Sequence, residues 1–291
     1  MKTNSFRLMM ALVAGTWSAA LARSAEPLPS GGVFAKSNLA AWCVVPFDAA
    51  KRGPRQRADM LQELGIRNLA YDWRAEHVPA FEEEIVQLKK HSIGFFAFWG
   101  FHPAIVPLLA KHDVTPEFWI MLPNPPGTTD DERLDSAVKQ LGPLVQKTRE
   151  LGCKLGLYNH GGWGGEPANM VRIVKRLRQE GHNDHVGIVY NFHHAFNHIH
   201  DFPQVLAEVQ PYLLCINLNG MNGTHSVLPL GSGQYEQSMM ETIKRSGYAG
   251  PIGIIAERPS LDAKESLKQN LDGMKKILKR IGDEAALKTY D

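Results

Sequence analysis

Eight short apolar runs punctuate this chain, and between them apolar positions recur at helical spacing. The runs are Leu39–Val45, Asn68–Trp73, Gly94–Trp99, Glu117–Leu122, Lys154–Asn159, Gly187–Asn191, Leu213–Leu218 and Ile252–Glu257. Each has the length of a strand, and most are continuously apolar, the pattern of parallel strands covered on both faces. In the intervals, Phe81, Ile85 and Leu88 fall on one helical face, as do Leu134, Val138, Leu141 and Val145. Leu267, Leu271, Met274 and Leu278 predict a last amphipathic helix.

Alternation of this kind is solved by an open doubly wound sheet or by a closed barrel. No G-x-G-x-x-G follows the first run, which removes the main support for a dinucleotide fold. Eight units in about 250 residues is the number a (β/α)8 barrel requires. The expected fold is therefore α/β, a single (β/α)8 TIM barrel over residues 37–291. The Pro- and Gly-rich stretch at 123–131 reads as a loop entering a helix.

The N-terminal pattern changes where this barrel is expected to work. Lys2 and Arg7 lead an apolar stretch from Leu8 to Trp17, closed by the small residues around Ala20 and Ala22. Residues 1–22 read as a secretory signal, with an uncleaved anchor as the alternative, and 23–36 as an N-terminal extension. Export, to a periplasm or as a secreted protein, is the expectation, with no membrane association after cleavage. Loss of Lys2 and Arg7 reduces the 32 basic residues to 30, matched to the 30 acidic ones. A formally neutral chain gives no reason to expect a nucleic-acid partner. The three cysteines, Cys43, Cys153 and Cys215, lie in or beside apolar segments with no C-x-x-C pair, so buried thiols are expected. Oligomeric state is not readable from the pattern.

In a barrel of this kind the working site is built at the C-terminal strand ends, so the polar residues closing each run are the candidates. They are Asp72, Trp73 and Arg74 after the second run, Trp99 and His102 after the third, and Tyr158 and His160 after the fifth. Asn191, His193 and His194 follow the sixth, Asn217 and Asn219 close the seventh, and Glu257 ends the eighth. Imidazoles, amides and a carboxylate among tryptophans suit a small carbohydrate, held by hydrogen bonds and stacked on aromatic faces. Glu257 is the first catalytic candidate, because a carboxylate ending so apolar a strand must face the mouth or be buried at high cost. Plainer readings stand beside these. Asp72 and Arg74 form a structural ion pair at the rim; Trp73 and Trp99 pack at the core edge. Adjacent His193 and His194 point only one ring inward, and His182, His185, His198 and His200 lie on the surface or at helix starts.

The order of these segments resembles the xylose isomerase-like barrel family, the sugar-phosphate isomerase and epimerase group. LGLYNHGG, GIVYNFHH, LLCINLNG and the pair LPLGSGQYE and SGYAGPIGIIAE carry the resemblance. It implies a divalent metal held at the positions of Tyr158, Asn191, Asn217 and Glu257, with His194 at an accessory histidine. Only Glu257 keeps the family's ligand type, so no cofactor is expected beyond, at most, a weak divalent metal such as Mn, Mg or Zn. The implied activity is isomerisation, epimerisation or elimination on a sugar or keto-sugar by proton transfer. Glu257, Tyr158, His160 and His194 are its acid–base candidates, and Tyr158 qualifies if its pKa is lowered. The alternative is a non-catalytic saccharide-binding barrel that has lost the metal site.

Overall fold

The computed structural model describes residues 30–181 and 183–291. The expected signal segment 1–22, residues 23–29 of the extension, and His182 lie outside the described residues.

Eight parallel strands close in sequence order, the first pairing with the last. They are β1 Leu39–Trp42, β2 Asn68–Tyr71, β3 Gly94–Trp99, β4 Glu117–Met121, β5 Leu155–Tyr158, β6 Val186–Asn191, β7 Leu213–Leu218 and β8 Ile252–Ile255. Helices alternate with them: α1 Pro54–Leu64, α2 Phe81–Lys90, α3 Val106–His112, α4 Asp130–Glu150, α5 Pro167–Gly181, α6 Phe202–Val209, α7 Glu236–Ser246 and α8 Ala263–Arg280. Among the described residues no helix is long and apolar enough to cross a membrane. Local chemistry sets several boundaries. Pro54 opens α1, and Gly65 in the left-handed region (φ 71°) closes it. At the end of the 123–131 loop, Thr129 accepts the Glu132 N–H at 3.2 Å while the Glu132 carboxylate accepts the Thr129 N–H, a capping box that starts α4.

Strand pleating sorts the side chains into two sets. Leu69, Tyr71, Ile188, Tyr190, Ile252 and Ile254 face outward into the helix layer. There a fully buried ion pair, Arg57 Nε to Glu84 Oε1 at 2.9 Å, ties α1 to α2. Ala70, Ala97, Trp119, Tyr158, Val189, Cys215 and Ile255 fill the interior with Trp42. This filling alternates large and small: Trp42, Trp119 and Tyr158 interlock, with Trp42 and Trp119 centroids 4.9 Å apart. Gly156 makes room for them, since a Cβ there would meet Val189 at 2.6 Å and Trp119 at 3.3 Å. The interior is thus a packed core with an aromatic upper surface, and that surface is the floor of the cavity above.

Candidate functional site at the C-terminal mouth

A cavity of about 260 Å3 opens at the C-terminal ends of the strands. Aromatic side chains of Trp42, Phe47, Trp99 and Tyr158 line one part, and Cys43, Asp72, Arg74, His160, His193, His194 and Glu257 the rest. Seven of the sequence candidates, Asp72, Arg74, Trp99, Tyr158, His160, His193 and His194, are therefore brought together with Glu257.

Glu257 lies two residues beyond the end of β8, where the strand has left the barrel wall. Its carboxylate stands 3.9 Å from His193 Nε2, and both side chains keep some exposure, 29% and 17%. Cys43 is beside it at the end of β1, in the left-handed region at φ 55°. That conformation is costly for a residue with a Cβ and is concentrated at working sites. Burial, then the Asp72 and Glu257 carboxylates, hold the Cys43 thiol well above its ordinary pKa, so it stays protonated.

His193 and His194 both face the cavity, against the expectation of one ring inward. That expectation assumed strand geometry, but the chain leaves β6 in a 3-10 turn over Phe192–His194, which rotates successive side chains by far less than the half-turn of a strand. Their ring centroids lie 4.5 Å apart, and that of His160 lies 4.1 Å from that of His194, the two planes tilted by 43°. Burial lowers the His194 pKa to about 3, with His160 and His193 adding to it. Burial also lowers that of His193, against the pull of Glu257. Both imidazoles are therefore held in the neutral form near pH 7, and each can accept a hydrogen bond at one ring nitrogen.

Asp72 and Arg74 do not form the expected ion pair. Arg74 Nη1 donates to the carbonyls of Asp72 and Trp73, at 2.7 and 2.9 Å, and its guanidinium lies 5.7 Å above the Phe47 ring. The Asp72 carboxylate accepts only the Val45 N–H, at 3.0 Å, and its other oxygen has no partner among the described residues. Burial pushes its pKa up to about 6, opposed by the Val45 N–H and by Arg74.

Tyr158 is anchored from two sides. Its oxygen accepts Trp42 Nε1 at 2.8 Å and a very short bond from Asn191 Nδ2. Burial raises its pKa well above the ordinary value, outweighing those donors. The lowering on which a base role depended is absent, and Tyr158 keeps its proton. Asn191 sits behind Tyr158, wholly buried, and its backbone is clamped by the Asn159 amide.

Besides Asn191, four candidates lie outside the cavity lining. Trp73 donates its indole N–H to Trp99 O at 2.7 Å and packs on Phe81 and Phe98, with His102 edge-on at 5.2 Å. Inward Ala70 and Asp72 leave Trp73 the outward position, so strand parity carried the signal. Asn217 is completely buried below the cavity, its Oδ1 occupying the space a Cβ on Gly253 would need, 1.8 Å away. Asn219 is buried and donates to Gly220 O at 2.9 Å. The lining residues the polar-end rule missed are Trp42, Cys43 and Phe47, since β1 ends at Trp42 and not at Val45. His198, expected on the surface, clasps Glu166 Oε2 at 3.1 Å and Asp201 at 3.2 Å.

The family's metal does not fit these four positions. The Tyr158 oxygen already takes two N–H donors, the Asn217 amide turns across Gly253, and Asn191 Nδ2 faces the phenol. A hard divalent cation needs several anionic oxygens, and Glu257 supplies the only carboxylate of the set. Among the described residues no three His, Cys, Asp or Glu side chains are placed to hold a metal ion.

The sequence profile described as xylose isomerase-like TIM barrel matches residues 55–277. No curated protein matches the sequence. Among solved structures, a 3-keto-D-glucoside 4-epimerase from E. coli superposes with TM-score 0.59 at 15% identity, covering 80% of this chain and 98% of that one. A D-tagatose 3-epimerase-like protein gives 0.64 at 14%, covering 84% and 98%. The IOLI protein, solved with a bound zinc atom, gives 0.63 at 12%, covering 84% and 98%.

Proposed function

This chain belongs to the xylose isomerase-like TIM barrel family, and from that premise we propose that it catalyses proton transfer on a small sugar or keto-sugar, with Glu257 as the base. The observation that carries the reading is the Glu257 carboxylate 3.9 Å from His193, at the rim of a cavity floored by tryptophan and tyrosine. The aromatic faces stack on a sugar ring, and His193 and His194, which burial keeps neutral, offer acceptors to its hydroxyls. At about 260 Å3 the cavity is smaller than the roughly 300–1,000 Å3 that holds drug-sized ligands, so the substrate is a single ring. Sugar epimerases among the structural neighbours support the same class of chemistry.

Glu257 removes a proton from carbon next to a carbonyl, and His193 accepts a hydrogen bond or the proton in turn. Return of the proton to the other face gives an epimer, to the neighbouring carbon an isomer, and loss of a β-substituent gives elimination. The signal-like pattern of residues 1–22 supports a site outside the cytoplasm, where free or oxidised glycosides are the available substrates.

Incubation with a panel of sugars and 3-keto-glucosides in deuterated water tests the reading. Deuterium enters one class of substrate, and Glu257→Gln slows entry about 100-fold or more. Binding without exchange turns the assignment to a saccharide-binding barrel. Exchange that persists at full rate in the variant removes Glu257 from the chemistry.

A further inference from the structure

The hydrogen bonding of Tyr158 is directional and incomplete. Asn191 Oδ1 accepts the backbone N–H of His193 at 2.9 Å, which fixes the amide with Nδ2 toward the phenol. Trp42 Nε1, an obligate donor, fills the other acceptor position at 2.8 Å. Both acceptor sites of the oxygen are thereby taken, and its one O–H hydrogen remains. Among the described residues nothing accepts that hydrogen, although Tyr158 is only 2% exposed and lines the cavity. A buried hydroxyl forced to donate, with no protein acceptor, is completed by an accepting atom in the cavity, from a water or from the ligand that displaces it.

We infer that the Tyr158 hydroxyl is the electrophile of this site: it hydrogen-bonds a ligand carbonyl oxygen and takes the place that a divalent metal holds in the family. The inference rests on the proton-transfer reading for its chemistry. As the C–H bond beside the carbonyl breaks, its proton passes to Glu257 and its electron pair becomes the carbon–carbon double bond of an enediolate. The former carbonyl oxygen carries the negative charge, and the Tyr158 O–H, buried and held by two N–H donors, stabilises it without giving up its proton. Reprotonation reverses the flow, so no oxidant or reductant is needed. The same geometry sets specificity, since a sugar presenting C=O satisfies the orphan hydrogen and needs no metal to polarise it.

Three measurements on the full chain decide this. Elemental analysis of the purified protein is expected to find far less than one Mn, Zn, Mg or Fe per chain, and unchanged exchange after chelation. Stoichiometric metal whose removal abolishes exchange overturns the inference. Tyr158→Phe is expected to lower the exchange rate by about 100- to 1,000-fold with KM little changed, the effect of deleting one oxyanion donor; an unaltered rate overturns it. Because Tyr158→Phe also strands Trp42 Nε1 and Asn191 Nδ2, Asn191→Asp in chelated buffer is the second variant. Its carboxylate accepts the Tyr158 O–H and withdraws it from the cavity, so exchange falls while the phenol remains in place. Full activity in that variant is equally fatal. If the wild type exchanges no proton with any substrate, the proton-transfer reading fails on its own, and calorimetric binding still judges the donor. A 3-keto-glucoside favoured about tenfold over its hydroxyl parent by wild type, and not by Tyr158→Phe, supports it; equal affinity or no binding overturns it.

Discussion

The two ends of the barrel interior treat buried polar groups in opposite ways. At the N-terminal end Glu117 is 4% exposed and fully engaged: it accepts the Trp119 indole N–H at 3.1 Å and pairs with Lys154 at 3.2 Å. A hollow of about 380 Å3 opens there, larger than the mouth cavity, but its polar lining is occupied. Arg149 donates to Gly181 O at 2.7 Å, and His185 bonds Val145 O at 3.0 Å. At the C-terminal end, one oxygen of Asp72, Nδ1 of His193, Nδ2 of Asn217 and Oδ1 of Asn219 are buried without a protein partner. Unpartnered buried atoms also occur on Arg57, Tyr71, Gln87, Asn183 and Tyr190, outside the cavity; those of Asp72 and His193 belong to residues of the cavity lining, where a ligand or water can complete the bonding. Size alone selects the wrong hollow, and unmet hydrogen bonds select the right one.

If the lower end is held by packing, damage there should be costly. Trp119 is fully buried, edge-on to Trp42, and its indole N–H is spoken for by Glu117. Trp119→Ala removes the largest interior side chain between two layers, and Gly156 opposite offers nothing to collapse into the space. A loss of about 3–5 kcal/mol in urea unfolding is expected. A loss below about 1 kcal/mol would mean that the interior is not the rigid platform on which the cavity rests.

The mouth should respond with the opposite sign. Asp72 is 1% exposed and has its pKa raised from 3.8 to about 6. The folded state therefore holds this proton more tightly than the unfolded chain does. Its contribution to stability is complete below about pH 4 and is lost as pH rises through about 6. Two pKa units correspond to about 3 kcal/mol. Asp72→Asn stays neutral at every pH, so the difference in stability between variant and wild type should grow in the variant's favour by about that amount between pH 4 and 7. A flat difference across this range would show that the carboxylate is not held in a poorly solvated site. The lowered pKa of His194 acts in the reverse direction, removing stability as pH falls below the ordinary histidine range, and it cancels in this difference.

The contrast between the ends also explains what the sequence could and could not reveal. Strand positions were legible because continuous apolar runs have one use in a protein of this size, and all eight fall within a few residues of their expected limits. The existence of a polar mouth was legible from Tyr158, Asn191 and Glu257, each closing an apolar run. Which polar residues reach the cavity was not. Trp73 and His102 follow strand ends yet turn to the helix layer, and Asn217 points inward one layer too low. Cys43 entered the site through a left-handed backbone turn that ends β1 early, for which a non-glycine residue gives no warning in sequence. The pairing of Asp72 with the Val45 N–H depends on the ends of the neighbouring strands β1 and β2 meeting. The Asn191 amide is set by the 3-10 turn that follows β6, through the His193 N–H two residues on.

The smallest expected effect lies at the rim, where two loops of the mouth are joined. His198, after β6, bonds Glu166, before α5, as well as Asp201. Burial opposes its protonation, but the two carboxylates prevail and raise its pKa. The imidazolium is therefore favoured by folding. Its contribution is present below the ordinary histidine pKa and disappears as pH rises through the raised value. Glu166 and Asp201 are largely exposed, so solvent and salt screen the clasp to about 0.5–1 kcal/mol. His198→Asn should lose that amount at pH 6, little at pH 9, and less at either pH in 1 M salt. Because Glu166 borders the loop carrying His160, and His198 the turn carrying His193 and His194, the variant should also loosen ligand binding slightly at low pH. An effect confined to stability would separate the clasp from the site, and one of several kcal/mol would move this rim into the class of the packed interior.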